Sequence, residues 1–178
     1  MLENSQGIED KYNNLIALFV KRGDWQRAEE IFLKQLELTS KNEGDLLDRY
    51  AKLGTFYVGH GQLQPAEKMF LKGLEINKAL DYQEGMSKHY SNLGSLYSLL
   101  RDNQRAEEMF LKALEIDEAL NDQMQLANHY EHLSTLYAKQ GDWQQAEEMF
   151  LKQRAISSNS EESLLNEEAL LNKKRKAY

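Results

Sequence analysis

The stretch RAEEMFLKALEI, which runs from Arg105 to Ile116, occurs in four versions along this chain of 178 residues. The other versions are RAEEIFLKQLEL from Arg27, PAEKMFLKGLEI from Pro65 and QAEEMFLKQRAI from Gln145. Their shared alanines stand at positions 28, 66, 106 and 146, so the steps are 38, 40 and 40 residues. Units that repeat at this period stack on one another, because each buries its apolar face only against its neighbours. The sequence therefore predicts a solenoid.

Each repeat is predicted to be a pair of helices. The chain has one proline and ten glycines, and its apolar residues recur at helical spacing. Tyr90, Leu93 and Tyr97 share one helix face, and Ala106 and Phe110 share another. Short turns separate the two helices, because glycine can end a helix and aspartate can cap the next. These turns are Gly23-Asp24, Gly61-Gln62, Arg101-Asp102 and Gly141-Asp142. The predicted fold class is all-α.

Composition and charge narrow the classes of function. The chain carries 22 lysines and arginines against 29 acidic residues, a net charge of −7. Binding to nucleic acid or to an anionic membrane requires a positive surface, so neither partner is expected. The sequence lacks cysteine, a long apolar run and the basic, apolar start of a signal peptide. We expect a cytoplasmic protein without a cofactor.

The residue columns of the repeats resemble the tetratricopeptide repeat (TPR) family over roughly residues 8 to 157. Small residues in such columns let two helices approach, and aromatic residues fill the wedge between neighbouring pairs. The matching columns are Tyr12, Tyr50, Tyr90 and Tyr130; Leu15, Leu53, Leu93 and Leu133; Gly54, Gly94 and Ser134, with Ile16 in the first repeat; Phe19, Tyr57, Tyr97 and Tyr137; the four alanines; and Phe32, Phe70, Phe110 and Phe150.

The repeats depart from the family pattern in their length and in their boundaries. The period is about 40 residues rather than the typical 34 or so, and the usual boundary proline is absent. This longer form is similar to the repeats of kinesin light chains and of Partner-of-Inscuteable-type adaptors, which bind peptides. The predicted repeats are residues 8–42, 43–82, 83–122 and 123–157 of one array, residues 1–157.

The repeat pattern fades at its end, where Arg154 replaces the leucine of the other copies. Residues 158–178 are predicted to form a capping helix on the fourth repeat, since Ser158 and Glu161 have capping-box spacing and several leucines follow. A partner-binding or dimerising helix is the alternative for this segment. Its basic run, Lys173 to Lys176, complements a helix C-terminus and is balanced by nearby glutamates.

The resemblance implies that the first helix of each pair lines a concave face, where a ligand would bind. The small column Ala17, Thr55, Ser95 and Thr135 would leave room there for an extended peptide or a helix. Asparagine amides suit a peptide backbone, because one amide can donate and accept hydrogen bonds. The candidate binding residues are Asn13, Asn14, Lys52, Thr55, Lys88, Asn92, Ser95, Asn128, Glu131, His132 and Thr135.

Two more specific kinds of site are disfavoured by the residues present. A clamp for a C-terminal carboxylate, as in TPR co-chaperones, would meet repulsion from Asp10, Asp48 and Glu131. A metal site at His129, Glu131 and His132 lacks a further ligand and the HExxH pattern. His129 also shares its column with His89, which indicates a packing role.

The sequence therefore predicts a non-enzymatic scaffold, without catalytic residues, that binds a peptide or a helix of another protein. The first alternative is a module that self-associates through its terminal helices, for which Ile8, Ile16 and the leucines of the tail are the motivating residues. The second alternative is a sensor or regulatory domain of a larger protein.

Overall fold

The computed structural model describes residues 2–39 and 48–158, and within these ranges the chain forms eight α-helices and no strand. The predicted all-α fold class is confirmed for this part of the chain. The helices are α1 (Leu2–Lys21), α2 (Trp25–Thr39), α3 (Arg49–Gly59), α4 (Leu63–Ala79), α5 (Gln83–Leu99), α6 (Asn103–Leu120), α7 (Gln123–Gln140) and α8 (residues 143–158).

The chain divides into two compact units, with the boundary after Asn92, inside α5. Unit 1, residues 1–92, contains α1 to α4 and the first part of α5. Within it α1 packs against α2, α2 against α3, and α3 against α4. Unit 2, residues 93–178, contains the rest of α5 and α6 to α8, and α6 packs against α7.

The turns between paired helices follow the sequence rules. Gly23, Gly61 and Gly141 have φ angles of 74°, 71° and 83°, a left-handed conformation that glycine adopts without a steric penalty. Arg101 takes the same conformation in the third repeat, with φ of 59°. The aspartate that follows each turn caps the next helix, as predicted: Asp102 Oδ1 accepts from the backbone N–H of Arg105 at 3.1 Å. Asp24 and Asp142 make the equivalent bonds.

In unit 1, the small column brings α3 close to α4. A Cβ atom on Gly54 would overlap the ring of Phe70, and that ring is only 2% exposed. Leu53, Ala28 and Ala66 are completely buried. The repeat columns therefore predict this core correctly.

Unit 2 repeats the same packing. A Cβ atom on Gly94 would lie 2.7 Å from the Phe110 ring, and Phe110 is 2% exposed. Leu93, Ala106 and Leu133 are completely buried. Ser134 stands in the small column of the fourth repeat, and its hydroxyl donates to the backbone oxygen of Ala146 at 2.8 Å, which joins α7 to α8.

A tyrosine–glutamate hydrogen bond joins successive repeats within each unit. In unit 1 the Tyr57 hydroxyl donates to Glu29 Oε2 at 2.7 Å, and in unit 2 the Tyr137 hydroxyl donates to Glu107 Oε1 at 2.8 Å. Burial, reinforced by the neighbouring carboxylate, raises the pKa of both tyrosines. Both phenols therefore stay protonated and remain hydrogen-bond donors.

Two members of the repeat columns are exposed, unlike their counterparts in other repeats. Leu15 is 42% exposed, although Leu53, Leu93 and Leu133 in its column are buried. Ile16, on the side facing α2, is buried instead. At the other end Phe150 is 53% exposed, whereas Phe70 and Phe110 are buried.

The remaining predicted segments cannot be compared with the structure. The predicted capping helix and basic tail, apart from Ser158 at the end of α8, lie outside the described residues, as do residues 40–47 around the start of the second repeat. Within the described ranges no helix is both long and apolar enough to cross a membrane.

Candidate functional site

Unit 1 contains a cavity of about 530 Å³ that opens between α1, α2, α3 and the start of α5. Clefts of this volume are typical of binding sites for small ligands or for single anchoring side chains. The lining residues are Asn13, Phe32, Gln35, Asp48, Ala51, Lys52, Thr55, Phe56, Gly59, His60, Lys88 and Asn92. All belong to unit 1, so the site is complete within it.

Aromatic rings form the apolar part of the cavity. The centroids of Phe32 and Phe56 lie 5.4 Å apart, and those of Phe56 and His60 lie 4.5 Å apart. The centroids of the His60 and Trp25 rings lie 5.8 Å apart, with the ring planes at 65°, and His60 Nδ1 lies 2.7 Å from the backbone oxygen of Phe56. These contacts hold the rings in place, so an apolar guest would meet a preformed surface.

Amide groups stand at the edge of this apolar surface. Gln35 Nε2 donates to Asn13 Oδ1 at 3.0 Å, which links α2 to α1 across the cavity. Asn92 lines the opposite side from α5 and is half-buried. The Thr55 hydroxyl donates to the Ala51 backbone oxygen at 2.9 Å within its own helix. Thr55 therefore contributes its small size to the cavity wall rather than a hydroxyl directed at a ligand.

Three charged side chains complete the rim. The Asp48 carboxylate pairs with Lys88 and lies 3.5 Å from Lys52 Nζ. Burial by itself would raise the pKa of Asp48, but the hydrogen bond and charge of Lys88, together with Lys52, outweigh it and lower that pKa. Asp48 is therefore ionised at neutral pH, and the three residues together carry one net positive charge in a chain of net charge −7.

Five of the predicted binding residues meet at this cavity. Asn13 comes from α1, Lys52 and Thr55 from α3, and Lys88 and Asn92 from α5. Asn14, the sixth candidate in unit 1, is exposed on α1 but does not line the cavity.

The other five predicted residues belong to unit 2. Asn128, Glu131, His132 and Thr135 are exposed on α7, and Ser95 is half-buried on α5. The His132 ring stacks on Phe110, with centroids 5.0 Å apart and planes at 14°. His132 thus covers the hydrophobic core of unit 2.

Sequence reasoning missed the aromatic surface of the cavity. Phe56 stands in a column where the other repeats have Leu18, Leu96 and Leu136, and this exchange of leucine for phenylalanine was the available signal. His60, which lies beside a turn, is exposed but is held by Phe56 and Trp25.

The buried histidines have packing roles. His89 in unit 1 and His129 in unit 2 are each 1% exposed. His129 Nε2 lies 2.7 Å from Asp117 Oδ2, and Asp117 is itself 2% exposed. The packing role predicted for the His89 and His129 column is confirmed. Across the described residues no three histidine or acidic side chains are grouped closely enough to hold a metal ion.

Two sequence models of the tetratricopeptide repeat match this chain, one over residues 12–47 and the other over residues 85–159. The first match includes the turn at Gly23, and the second includes the turns at Arg101 and Gly141. No curated protein matches the chain.

Solved structures with the same kind of fold include BtubC (BKLC) from P. vanneervenii. That protein is 25% identical with a TM-score of 0.67, and the match covers 87% of this chain and 64% of the other. The chain thus spans about two-thirds of the length of BtubC. A putative kinesin light chain repeat protein from Podosopora anserina is 18% identical with a TM-score of 0.45, over 85% and 95% of the two chains. MamA is 16% identical with a TM-score of 0.39, over 86% and 94%.

Proposed function

Since this chain belongs to the tetratricopeptide repeat family, we propose that it is a non-catalytic scaffold whose first helices bind a peptide segment of another protein. Repeats of this family are typically protein-interaction modules. The observation that carries the proposal is the cavity of unit 1, where apolar rings, amides and lysines from different helices surround one space.

The lining suggests how the peptide is held. An apolar side chain of the peptide would enter between Phe32 and Phe56, and its burial would supply most of the binding free energy. Asn13 accepts a bond from Gln35 through Oδ1, so its amide nitrogen is the group suited to donate to a peptide carbonyl. Asn92 would bind the peptide backbone from the other side of the cavity.

The charged residues of the rim disfavour peptides with an acidic residue at this position. Lys52 and Lys88 are both engaged by Asp48, so an acidic peptide residue must compete with a carboxylate already in place.

A small site of this kind would bind with a dissociation constant in roughly the micromolar range, because association must first offset lost rigid-body freedom.

The test is selection of binding peptides from a displayed library, followed by calorimetric titration of variants. We expect Asn92→Ala to weaken the binding of a selected peptide by about 1 kcal/mol, or roughly fivefold in the dissociation constant, through the loss of a hydrogen bond. Phe56→Ala should abolish measurable binding of the same peptide. The matched control is Lys68→Glu, an exposed position on α4 outside the cavity, which should leave the affinity unchanged.

Asn128→Ala separates the two sets of candidate residues, since Asn128 lies in unit 2 at the position that Lys88 occupies in unit 1. An unchanged affinity in Asn128→Ala with a weakened one in Asn92→Ala supports the cavity. If selected peptides bind Asn92→Ala and Phe56→Ala as tightly as the wild type, the proposal is wrong.

We also propose three finer features of this protein. The resemblance to long-repeat adaptors rests on the period of about 40 residues. Ser95, Asn128, Glu131, His132 and Thr135 of unit 2 are proposed as a second ligand surface, on which binding at the cavity of unit 1 does not depend. We also propose a cytoplasmic location, and the cysteine-free composition is the support for it.

A further inference from the structure

Helix α8 exposes a stripe of four residues, Trp143, Glu147, Phe150 and Arg154. Their spacing of four, three and four places them on one side of a helix. Trp143 is 70% exposed and Phe150 53%, and Leu151 beside them is 55% exposed. Ala146, on the side that faces α7, is only 7% exposed. Two large aromatic side chains on one helix are thus exposed to solvent.

The same columns form helix–helix contacts elsewhere in the chain. In unit 1 the α2 residues Trp25, Glu29 and Phe32 contact α3 through Tyr57 and Phe56. In unit 2 the α6 residues Glu107 and Phe110 contact α7 through Tyr137 and His132. The positions of the α8 stripe are therefore the ones that, in α2 and α6, contact the first helix of the next repeat.

The fourth repeat changes this surface at one position. Arg154 stands where the earlier repeats have Leu36, Leu74 and Leu114. The stripe of α8 consequently has an acidic residue near its start, an arginine near its end, and Phe150 and Leu151 between them. Such a face is complementary to itself when two copies lie antiparallel.

We propose that α8 binds α8 of a second copy of this chain, antiparallel, about a twofold axis midway between Phe150 and Leu151. Glu147 then faces Arg154 of the partner subunit, and the same pair recurs across the axis. Phe150 packs on Leu151 of the partner subunit. The proposal is independent of the peptide cavity, which lies in unit 1.

The other charges of α8 do not oppose this arrangement. Glu148 pairs with Lys152 at 2.8 Å within the helix, and Lys152 lies 5.7 Å from the Tyr130 ring centre of α7. Those side chains are thus directed away from the stripe. Because a single helix pair buries little area, we expect a weak dimer with a dissociation constant of roughly 10 to 100 µM.

The test is the mass of the full chain in solution, measured by sedimentation equilibrium across roughly the micromolar to millimolar range in which such a weak dimer forms. The weight-average mass should rise from 20.7 kDa towards twice that value and stop there, because a twofold interface closes at two copies. Glu147→Arg and Arg154→Glu should each weaken the dimer by about tenfold or more, since like charges then face each other.

The double variant Glu147→Arg, Arg154→Glu should restore the dimer, because it exchanges the two charges and keeps their complementarity. Glu148→Arg, off the stripe, is the matched control and should leave the mass unchanged. If the wild-type mass stays at that of one copy, the proposal is wrong. This holds whether or not residues 159–178 of the same chain occupy the exposed face of α8. A double variant that remains monomeric, or a mass that grows beyond two copies, also overturns the proposal.

Discussion

Gly54 and Gly59 lie in one helix, α3, yet a methyl group would have opposite effects at the two positions. At Gly54 it would overlap the buried Phe70 ring, whereas around Gly59 there is no neighbouring atom within 4 Å. We expect Gly54→Ala to lower the free energy of unfolding by about 1–3 kcal/mol through overpacking. Gly59→Ala should leave it unchanged or raise it by up to about 1 kcal/mol. Urea denaturation of both variants measures this, and equal effects would contradict the close approach of α3 to α4.

His89 should make unit 1 sensitive to acid. Burial, aided by the charge of Lys88, lowers its pKa from 6.5 to about 4. The unfolded chain therefore takes up the proton first, so stability is level above pH 6.5 and is lost as the pH falls towards 4. We expect His89 to cost about 1–2 kcal/mol of unfolding free energy between pH 7 and pH 5.

The measurement is urea denaturation at the two pH values for the wild type and His89→Gln. The variant should lose less stability on acidification than the wild type does. An equal loss in His89→Gln and wild type would show that His89 does not carry the acid sensitivity. Burial lowers the pKa of His129 as well, so part of the acid sensitivity of the whole chain will persist in the variant.

At the scale of the element, the turn between α5 and α6 differs from its counterparts. Arg101 has φ of 59°, where the equivalent residues of the other repeats are glycines. A side chain in the left-handed region costs about 1 kcal/mol relative to glycine. Arg101→Gly should therefore stabilise the chain by up to about 1 kcal/mol.

The reverse change, Gly141→Arg, provides the matched control, since it lies in the corresponding turn after α7 in the same unit. It should lower the melting temperature, while Arg101→Gly should raise it. A lower melting temperature for Arg101→Gly would mean that Arg101 makes contacts whose stabilisation exceeds the cost of its backbone conformation.

At the scale of the whole molecule, burial is uneven along the chain. Among the described side chains, Ile16 is the one buried residue of α1 and Ala146 that of α8, whereas α4 and α6 each bury several. Local opening requires less free energy where few side chains are buried. Hydrogen exchange followed by mass spectrometry should therefore show amides of α1 and α8 exchanging at least about tenfold faster than those of α4 and α6. Uniform protection would contradict this gradient.

The sequence allowed prediction of features that depend on one repeat and its direct neighbour. The turns at Gly23 and Gly141 follow from local backbone rules, and the burial of Phe70 against Gly54 follows from the repeat columns. Leu15 and Phe150 stand in columns whose members in other repeats are buried or half-buried, yet both are exposed. Their exposure depends on whether a further helix covers them, which the residue type does not encode.

The candidate site was predictable only in part, and for a similar reason. Polar residues on the first helices could be located by helical spacing, and five of them meet at the cavity. The Phe32–Phe56 surface was missed because it joins two repeats and uses a residue that departs from its column. The bond from Tyr57 to Glu29 spans 28 residues and likewise has no local signal.

Each unit contains one of the two tryptophans of the chain, and their surroundings differ. Trp25, in unit 1, is half-buried against Tyr57 and His60, whereas Trp143, in unit 2, is largely in water. Indole emission shifts with the polarity around the ring, so the native fluorescence spectrum combines a shorter-wavelength component from unit 1 with a longer-wavelength component from unit 2. Replacing either tryptophan with phenylalanine would leave a built-in optical reporter for the other half of the molecule.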